Sequence, residues 1–169
     1  MAPSLGFDAI EAARRNWVDH ELPEPDAMAA ATSIMRAAQI VSAAVEQALR
    51  PLGLTFARWE LLMLLTFSKR GSLPMTKIGE RLMVHPTGIS KLVDKLEEQR
   101  LVRREAHPTD RRTTLATILP DGRRLARRGA KTVGEVRYGV DLSITELREL
   151  TTVITGLRIQ VGDFPGEAD

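Results

Sequence analysis

Charged side chains with the potential for specific chemistry are concentrated in residues 107–113, HPTDRRT. This segment places the carboxylate of Asp110 directly before the guanidinium groups of Arg111 and Arg112, between two runs rich in β-forming residues. A hairpin turn is completed by residues such as Gly or Asn and does not need these charges. They indicate recognition of a negatively charged partner, with Asp110 holding the Arg112 guanidinium through charge-assisted hydrogen bonds.

Residues that typically catalyse reactions or hold metals are not grouped in the sequence. His20, His85 and His107 are scattered singly, and there is no cysteine, phosphate-binding glycine loop or nucleophile–base spacing. These observations argue against an enzyme, a metal site and a bound cofactor. The lack of cysteine also fits a reducing compartment.

Positive charge is segregated along the chain. Residues 69–131 carry 16 Lys and Arg against 7 Asp and Glu, a balance of +9, although the whole chain has a net charge of only +2. A basic block of this kind suggests a polyanion partner. The N-terminus has no apolar signal region, and the longest purely apolar run, Leu61–Leu65, is far shorter than the roughly 20 residues of a membrane span. We therefore expect a cytoplasmic protein without a membrane partner.

Hydrophobic periodicity and capping residues predict a mainly helical chain, in agreement with its 4% aromatic content. The final helix has a capping box, in which Ser143 is followed three residues later by Glu146. The first five predicted helices cover residues 7–20, 26–50, 56–69, 77–83 and 86–99. The second, third and fourth of these are capped by Asp26, Thr55 and Thr76, and the fifth starts at Pro86. Two strands follow within residues 101–119, and two further helices start at Asp121 and at the Ser143 cap.

Two of these helices carry apolar residues at alternating spacings of three and four. The first set is Ile34, Ala37, Val41, Ala44 and Ala48, and the second is Leu147, Leu150, Ile154, Leu157 and Val161. The two sets either pack on each other within one chain or form a dimer interface, and the sequence favours a homodimer.

The order of a short helix, a tight turn, a second helix and a hairpin is typical of a winged helix-turn-helix. The fold class is therefore mainly α with a small β-hairpin wing. Residues 55–120 form the predicted DNA-binding domain, and residues 1–54 and 121–169 form a helical dimerisation region.

The second helix is the predicted recognition helix for double-stranded DNA. Its first turn carries small residues, which permit a close approach to DNA, and Lys91 and Lys95 lie one turn apart. Arg112, at the hairpin tip, has the shape to enter a narrow minor groove. The predicted DNA contacts are Thr76, His85, Pro86, Thr87, Gly88, Ser90, Lys91, Lys95, Asp110, Arg111 and Arg112. The alternative is a winged-helix module that binds protein, which would not need Arg112.

The chain resembles the MarR family of bacterial transcriptional regulators. The resemblance covers roughly residues 26–161, and its most specific part runs from the recognition helix through LVRR and DRR to LPDGRRL. It implies a homodimeric repressor on a pseudo-palindromic operator, released by a small ligand. In the family pattern, the residue matching Arg112 enters the minor groove and the residue matching Asp110 orients it, which leaves Arg111 to contact phosphate or the rim of the groove.

One subset of that family responds to urate and has an additional N-terminal helix bearing Trp. The positions that match its ligand cluster are Trp17, Glu60, Lys91 and Arg103. The subset has Asp and Arg where this chain has Glu60 and Lys91, and Lys lacks the planar fork of Arg, which argues against urate. The resemblance still implies a small anionic or phenolic effector, whereas Trp17 is alternatively a structural anchor for its helix.

Overall fold

The computed structural model describes residues 6–110 and 112–165. The chain divides into a larger unit that ends at Gly139 and a smaller unit that begins at Val140. The elements are α1 (Ala9–Asp19), α2 (Pro25–Leu49), α3 (Phe56–Phe67), β1 (Ser72–Pro74), α4 (Met75–Leu82), α5 (Pro86–Glu98), β2 (Val102–Ala106), β3 (Thr114–Ile118), α6 (Pro120–Glu135) and α7 (Ile144–Gln160), with short 3-10 helices at Arg50–Leu52 and Arg137–Gly139.

The predicted helix starts are confirmed at three positions. The Thr55 hydroxyl accepts a hydrogen bond from the Arg58 N–H, Pro86 occupies the first turn of α5, and Ser143 and Glu146 form the capping box of α7. Each of these signals depends only on residues within one turn, and that is why sequence alone identifies it.

Two predicted caps are wrong. The N-cap of α2 is Glu24, in the left-handed region with φ 54° and without a side-chain cap, so Asp26 lies inside the first turn. The N-cap of α4 is Pro74, and Thr76 lies on the exposed surface of that helix. In α2 the helix starts earlier at Pro25, whose fixed φ suits the first helical position and whose missing N–H needs no partner there. In α4, Pro74 is the N-cap just outside the helix, and the first helical residue is Met75.

The sheet has three strands where the sequence predicted two. β3 is central and pairs antiparallel with both β2 and β1, with Arg104 opposite Ala116 and Leu73 opposite Ala116 on the other side. The missed strand, β1, precedes α4 directly. The strand before α4, β1, and the strand after α5, β2, therefore lie on opposite sides of β3, which joins the two ends of the helix-turn-helix.

A continuous apolar core holds the larger unit together. Trp59 donates its indole N–H to the Ala126 carbonyl at 3.1 Å, which joins α3 to α6. Gly129 allows this close packing, because a Cβ atom there would lie 2.5 Å from the Trp59 ring. The largest fully buried side chains are Leu49, Leu61, Leu62, Leu65, Ile78, Ile89, Leu96, Val93, Val102 and Val133.

The helix α2 exposes much of its apolar surface in this single chain. Met35 is 64% exposed and Ile40 is 50% exposed. Together with the following 3-10 turn, α2 is long and apolar enough to cross a membrane by length and composition alone. One such helix is weak support for a membrane span, because helices that pack in soluble assemblies have the same composition.

Candidate nucleic-acid interface

The helix α5 buries one face and exposes the other, as predicted. Its N-cap is His85, whose Nδ1 accepts a hydrogen bond from the Thr87 N–H at 3.4 Å. The residues that anchor α5 in the core are Ile89, Val93 and Leu96, whereas the exposed side chains include Thr87, Ser90, Lys91, Asp94 and Lys95. The open face therefore carries short hydroxyl groups near its N-terminus and lysines farther along.

Gly88 has a packing role that the sequence did not reveal. A Cβ atom at this position would lie 2.7 Å from the Cγ1 atom of Val84, in the turn before α5. The glycine thus lets α5 approach that turn closely. The proposed benefit of a small residue for DNA contact stays a prediction.

The tip between β2 and β3 is organised by Asp110. Its Oδ1 atom accepts the backbone N–H of Arg112 at 3.0 Å, and its Oδ2 atom accepts the Thr113 hydroxyl at 2.6 Å. These two hydrogen bonds, with the Thr113 hydroxyl contributing most, lower the pKa of the Asp110 carboxyl. Asp110 is therefore ionised at neutral pH and closes the turn.

The structure corrects the predicted contact between Asp110 and the guanidinium of Arg112. Within the described residues, Asp110 holds the Arg112 backbone, and the Arg112 side chain is exposed without an ion pair. A carboxylate two residues before a backbone N–H forms a local turn more readily than it reaches the end of a long side chain. The guanidinium therefore extends from a fixed backbone. Arg111 lies outside the described residues.

Arg104 fixes the hairpin against α5, a role that was not predicted from the sequence. Its guanidinium donates to Glu97 and to Asp94, each at 2.6 Å, and to the Ser90 carbonyl at 3.1 Å. Its backbone N–H also donates to Glu97 at 2.8 Å. These contacts, here called the Arg104 cluster, connect three successive turns of α5 to β2. The signal in the sequence was a pair of carboxylates three residues apart on α5, followed by a basic strand.

One groove brings several predicted contacts together. It has a volume of about 320 Å³ and its lining includes Thr76 from α4, Ser90 from α5, and Arg104 and Arg112 from the hairpin. Thr76 and Ser90 also line an adjacent cavity of about 640 Å³ with His85 and Pro86. The first turn of α5 and the hairpin tip therefore border the same surface, as a two-part DNA contact requires.

Comparison with known proteins identifies the family. A sequence model of the MarR family matches residues 52–113. The crystal structure of Sco5413, a MarR family transcriptional regulator from Streptomyces coelicolor, is 44% identical, with a TM-score of 0.76, and the match covers 83% of this chain and 99% of that one. This chain belongs to the MarR family.

Two further relatives extend the comparison. Sco3205, a MarR family regulator from Streptomyces coelicolor solved in complex with DNA, is 27% identical, with a TM-score of 0.70, over 80% of this chain and 86% of that one. The curated regulator MhqR of Bacillus subtilis is 42% identical over 53 residues, which are 31% of this chain and 37% of MhqR. The match thus spans less than half of that curated relative. As a MarR family member, the chain is a winged helix-turn-helix DNA-binding regulator and not an enzyme.

The four candidate ligand residues of this MarR protein do not line one cavity. Glu60 borders a cavity of about 580 Å³ beside α2 and α3, whose lining does not include the other three. Trp17 lies half-buried on α1, and Lys91 is exposed on α5. Arg103 forms an ion pair with Glu105 on the same strand. The cavity that Glu60 borders therefore does not bring the four residues together, and the ligand cluster implied by the urate-responsive subset stays a prediction.

The lysines of the recognition helix differ in their surroundings. Lys95 forms an exposed ion pair with Glu98 at 2.8 Å, whereas Lys91 makes no ion pair with any described residue. An exposed pair between side chains three residues apart contributes little and exchanges easily for a phosphate. Both lysines therefore stay available to a polyanion.

Proposed function

We propose that this protein is a homodimeric, cytoplasmic repressor that binds a pseudo-palindromic operator and is modulated by a small ligand. The DNA-binding part of the proposal rests on one observation, which is that Thr76, Ser90 and Arg112 all line the same groove. In this proposal α5 enters the major groove, and Arg112 enters the neighbouring minor groove, where the potential is most negative.

The remaining predicted contacts have different tasks in this proposal. Pro86, Thr87 and Gly88 place the N-terminus of α5 near a phosphate, which the helix dipole and free N–H groups favour. Lys91 and Lys95 contact phosphates or base edges, and Arg111 contacts the backbone beside the minor groove. Asp110 acts indirectly, because its hydrogen bond to the Arg112 backbone determines where that side chain starts.

A homodimer is supported by the exposed apolar surface of α2. A monomer rarely exposes several large apolar side chains on one helix, as α2 does at Ile34, Met35 and Ile40. The proposed dimerisation region comprises residues 1–54 and 121–169, and residues 55–120 bind DNA. Twofold symmetry would then present two α5 helices to half-sites one helical turn apart. Such a dimer represses by occupying the promoter.

The cavity beside Glu60 supports modulation by a ligand. Its volume of about 580 Å³ lies in the range of small-molecule sites, and α2 and α3 both border it. Since α2 belongs to the proposed dimer interface, a ligand there can alter the spacing of the two α5 helices. The expected anionic or phenolic class depended on Lys91 and Arg103, and neither of these residues lines the cavity.

Selection of bound genomic fragments, followed by gel shifts, tests the proposal. The fragments should contain an inverted repeat, and their affinity should fall steeply as salt rises because counterions are released. Arg112→Ala should weaken binding by about 1–3 kcal/mol, as loss of a specific groove contact does. Arg127→Ala, which removes an exposed arginine from α6, is the matched control.

Sedimentation of the free protein tests the dimer separately. A twofold-symmetric operator bound by a monomeric protein, or Arg112→Ala binding as tightly as the wild type, would contradict the corresponding part of the proposal. Salt-insensitive binding of a protein partner would favour the interaction-module alternative instead.

A further inference from the structure

The cavity beside α2 and α3 has an aromatic lining. Phe56, Trp59, Phe67 and Tyr138 all border its volume of about 580 Å³. The ring centroids of Phe56 and Trp59 are 5.9 Å apart, those of Trp59 and Tyr138 are 6.2 Å apart, and both pairs are tilted. Tilted rings around one space present both their faces and their edges to a bound molecule.

The only ionisable acid or base groups that border this cavity, within the described residues, belong to Glu60 and Tyr138. The Glu60 carboxyl is half-buried and has no hydrogen bond or ion pair with any described residue, and burial raises its pKa. No Lys, Arg or His is among the lining residues. A carboxylate in apolar surroundings loses hydration that only a cation or a hydrogen-bond donor can replace.

An uncommon backbone conformation holds Tyr138 at the cavity. Arg137, Tyr138 and Gly139 have φ values of 48°, 54° and 75°, which end α6 in a left-handed turn. A Cβ atom on Gly139 would lie 2.5 Å from the Cβ of Ala44, so this turn approaches α2 as closely as a glycine permits. Bulky residues seldom adopt a positive φ, and such residues concentrate at binding sites.

We infer that this cavity binds a lipophilic organic cation, such as an aryl-substituted ammonium or phosphonium ion. The positive charge lies against the Glu60 carboxylate, and the apolar groups lie against the surrounding rings, whose faces attract cations. An anion of the same shape would meet a carboxylate and no basic group. This inference gives the chemical class of the proposed effector. Binding of the cation does not depend on the proposed function, whereas an effect of the cation on DNA binding does.

Tetraphenylphosphonium and tetraphenylborate test the charge preference, because they are similar in size and shape and opposite in charge. The chain has two tryptophans, so Trp17→Phe leaves Trp59, which borders the cavity, as the single tryptophan whose fluorescence reports binding. In this background we expect the phosphonium ion to quench Trp59 and to bind about tenfold or more tightly than the borate.

Three variants in the same background locate the site. Glu60→Gln keeps the shape of the side chain and should remove the preference for the cation. Tyr138→Leu should weaken phosphonium binding severalfold, because one aromatic face is lost. Glu135→Gln removes an exposed carboxylate from α6, changes the net charge equally and should leave binding unchanged.

Equal or tighter binding of the borate, or an unchanged preference in Glu60→Gln, would overturn the inference. Failure of both ions to bind would overturn it as well, including the case in which a second copy of the chain fills the cavity. These measurements use protein without DNA, so they stand even if no operator is found. A gel shift with added phosphonium then tests the regulatory consequence on its own.

Discussion

Replacement of Arg104 by alanine should show how much operator binding depends on a rigidly held hairpin, because it loosens the hairpin and leaves the proposed DNA contact of Arg112 in place. The wild-type side chain is 29% exposed and makes two ion pairs and one bond to a backbone carbonyl. Each partly exposed pair is worth about 0.5–1 kcal/mol, and the carbonyl bond adds about 0.5 kcal/mol. Arg104→Ala should therefore cost about 2 kcal/mol, which lowers Tm by roughly 4–8 °C for a chain of this length.

Operator binding by Arg104→Ala should weaken by about tenfold, or about 1.4 kcal/mol, in gel shifts under conditions where the variant is fully folded. The reason is geometric, because the Arg104 cluster connects β2, and with it the tip that carries Arg112, to α5. Arg103→Ala is the matched control. Its side chain is 58% exposed and, among the described residues, pairs only with Glu105, so stability and DNA affinity should change little.

The stabilisation by the Arg104 cluster should also depend on pH. The Arg104 backbone N–H, aided by the guanidinium, lowers the pKa of Glu97 below its usual 4.5. A lowered folded-state pKa means that the stabilisation is present at neutral pH and lost as pH falls through that pKa. Arg104→Ala keeps the backbone N–H and loses only the guanidinium, so the guanidinium's share of the stabilisation, and with it the difference in Tm between the two proteins, should shrink at acidic pH. An unchanged difference there, or an Arg104→Ala variant with native Tm and affinity, would refute the reasoning.

Three other changes give distinct outcomes. Asp110→Ala should reduce operator affinity in gel shifts with little change in Tm, because the exposed tip loses both hydrogen bonds that close it; a large drop in Tm would contradict this. Gly129→Ala should lower the free energy of unfolding in urea by about 1–3 kcal/mol, since the added methyl group overlaps the Trp59 ring, and an unchanged value would mean that α6 shifts freely. Arg100→Gly should raise Tm by a few degrees, because Arg100 has a φ of 56° that glycine adopts without strain; a lower Tm would show that the arginine side chain compensates.

Local signals made much of this fold predictable. The apolar face of α5, the proline at its start and the capping box of α7 each depend on residues within one or two turns. The strand β1 was missed because it is only three residues long and contains Pro74, and its identity depends on pairing with β3 over 40 residues later. A strand this short forms because its partner strand is present, and its own sequence has no alternating apolar pattern from which it could be predicted.

The site was predictable in its residue types and less so in its contacts. The exposed hydroxyls and lysines of α5 follow from amphipathicity, whereas the role of Arg104 depends on the packing of β2 across Glu97 and Asp94. The surroundings of the candidate ligand residues could not be predicted for a similar reason. Lys91 and Arg103 lie on elements that do not border the cavity beside Glu60, and sequence order does not show which helices enclose a cavity.

The central position of β3 has a consequence for synthesis on the ribosome. Thr117 pairs with Ser72 on one side and with Arg103 on the other, so the entry to α4 and the exit from α5 both wait for a strand that is made after them. Bringing β1 and β3 together closes the long segment between them, and the chain entropy lost in this step is compensated only after the strands pair. This cost slows folding. A nascent chain that lacks residues 114–118 would carry the complete helical pair without its sheet. The DNA-binding surface should therefore form in a single late step, once β3 has left the exit tunnel.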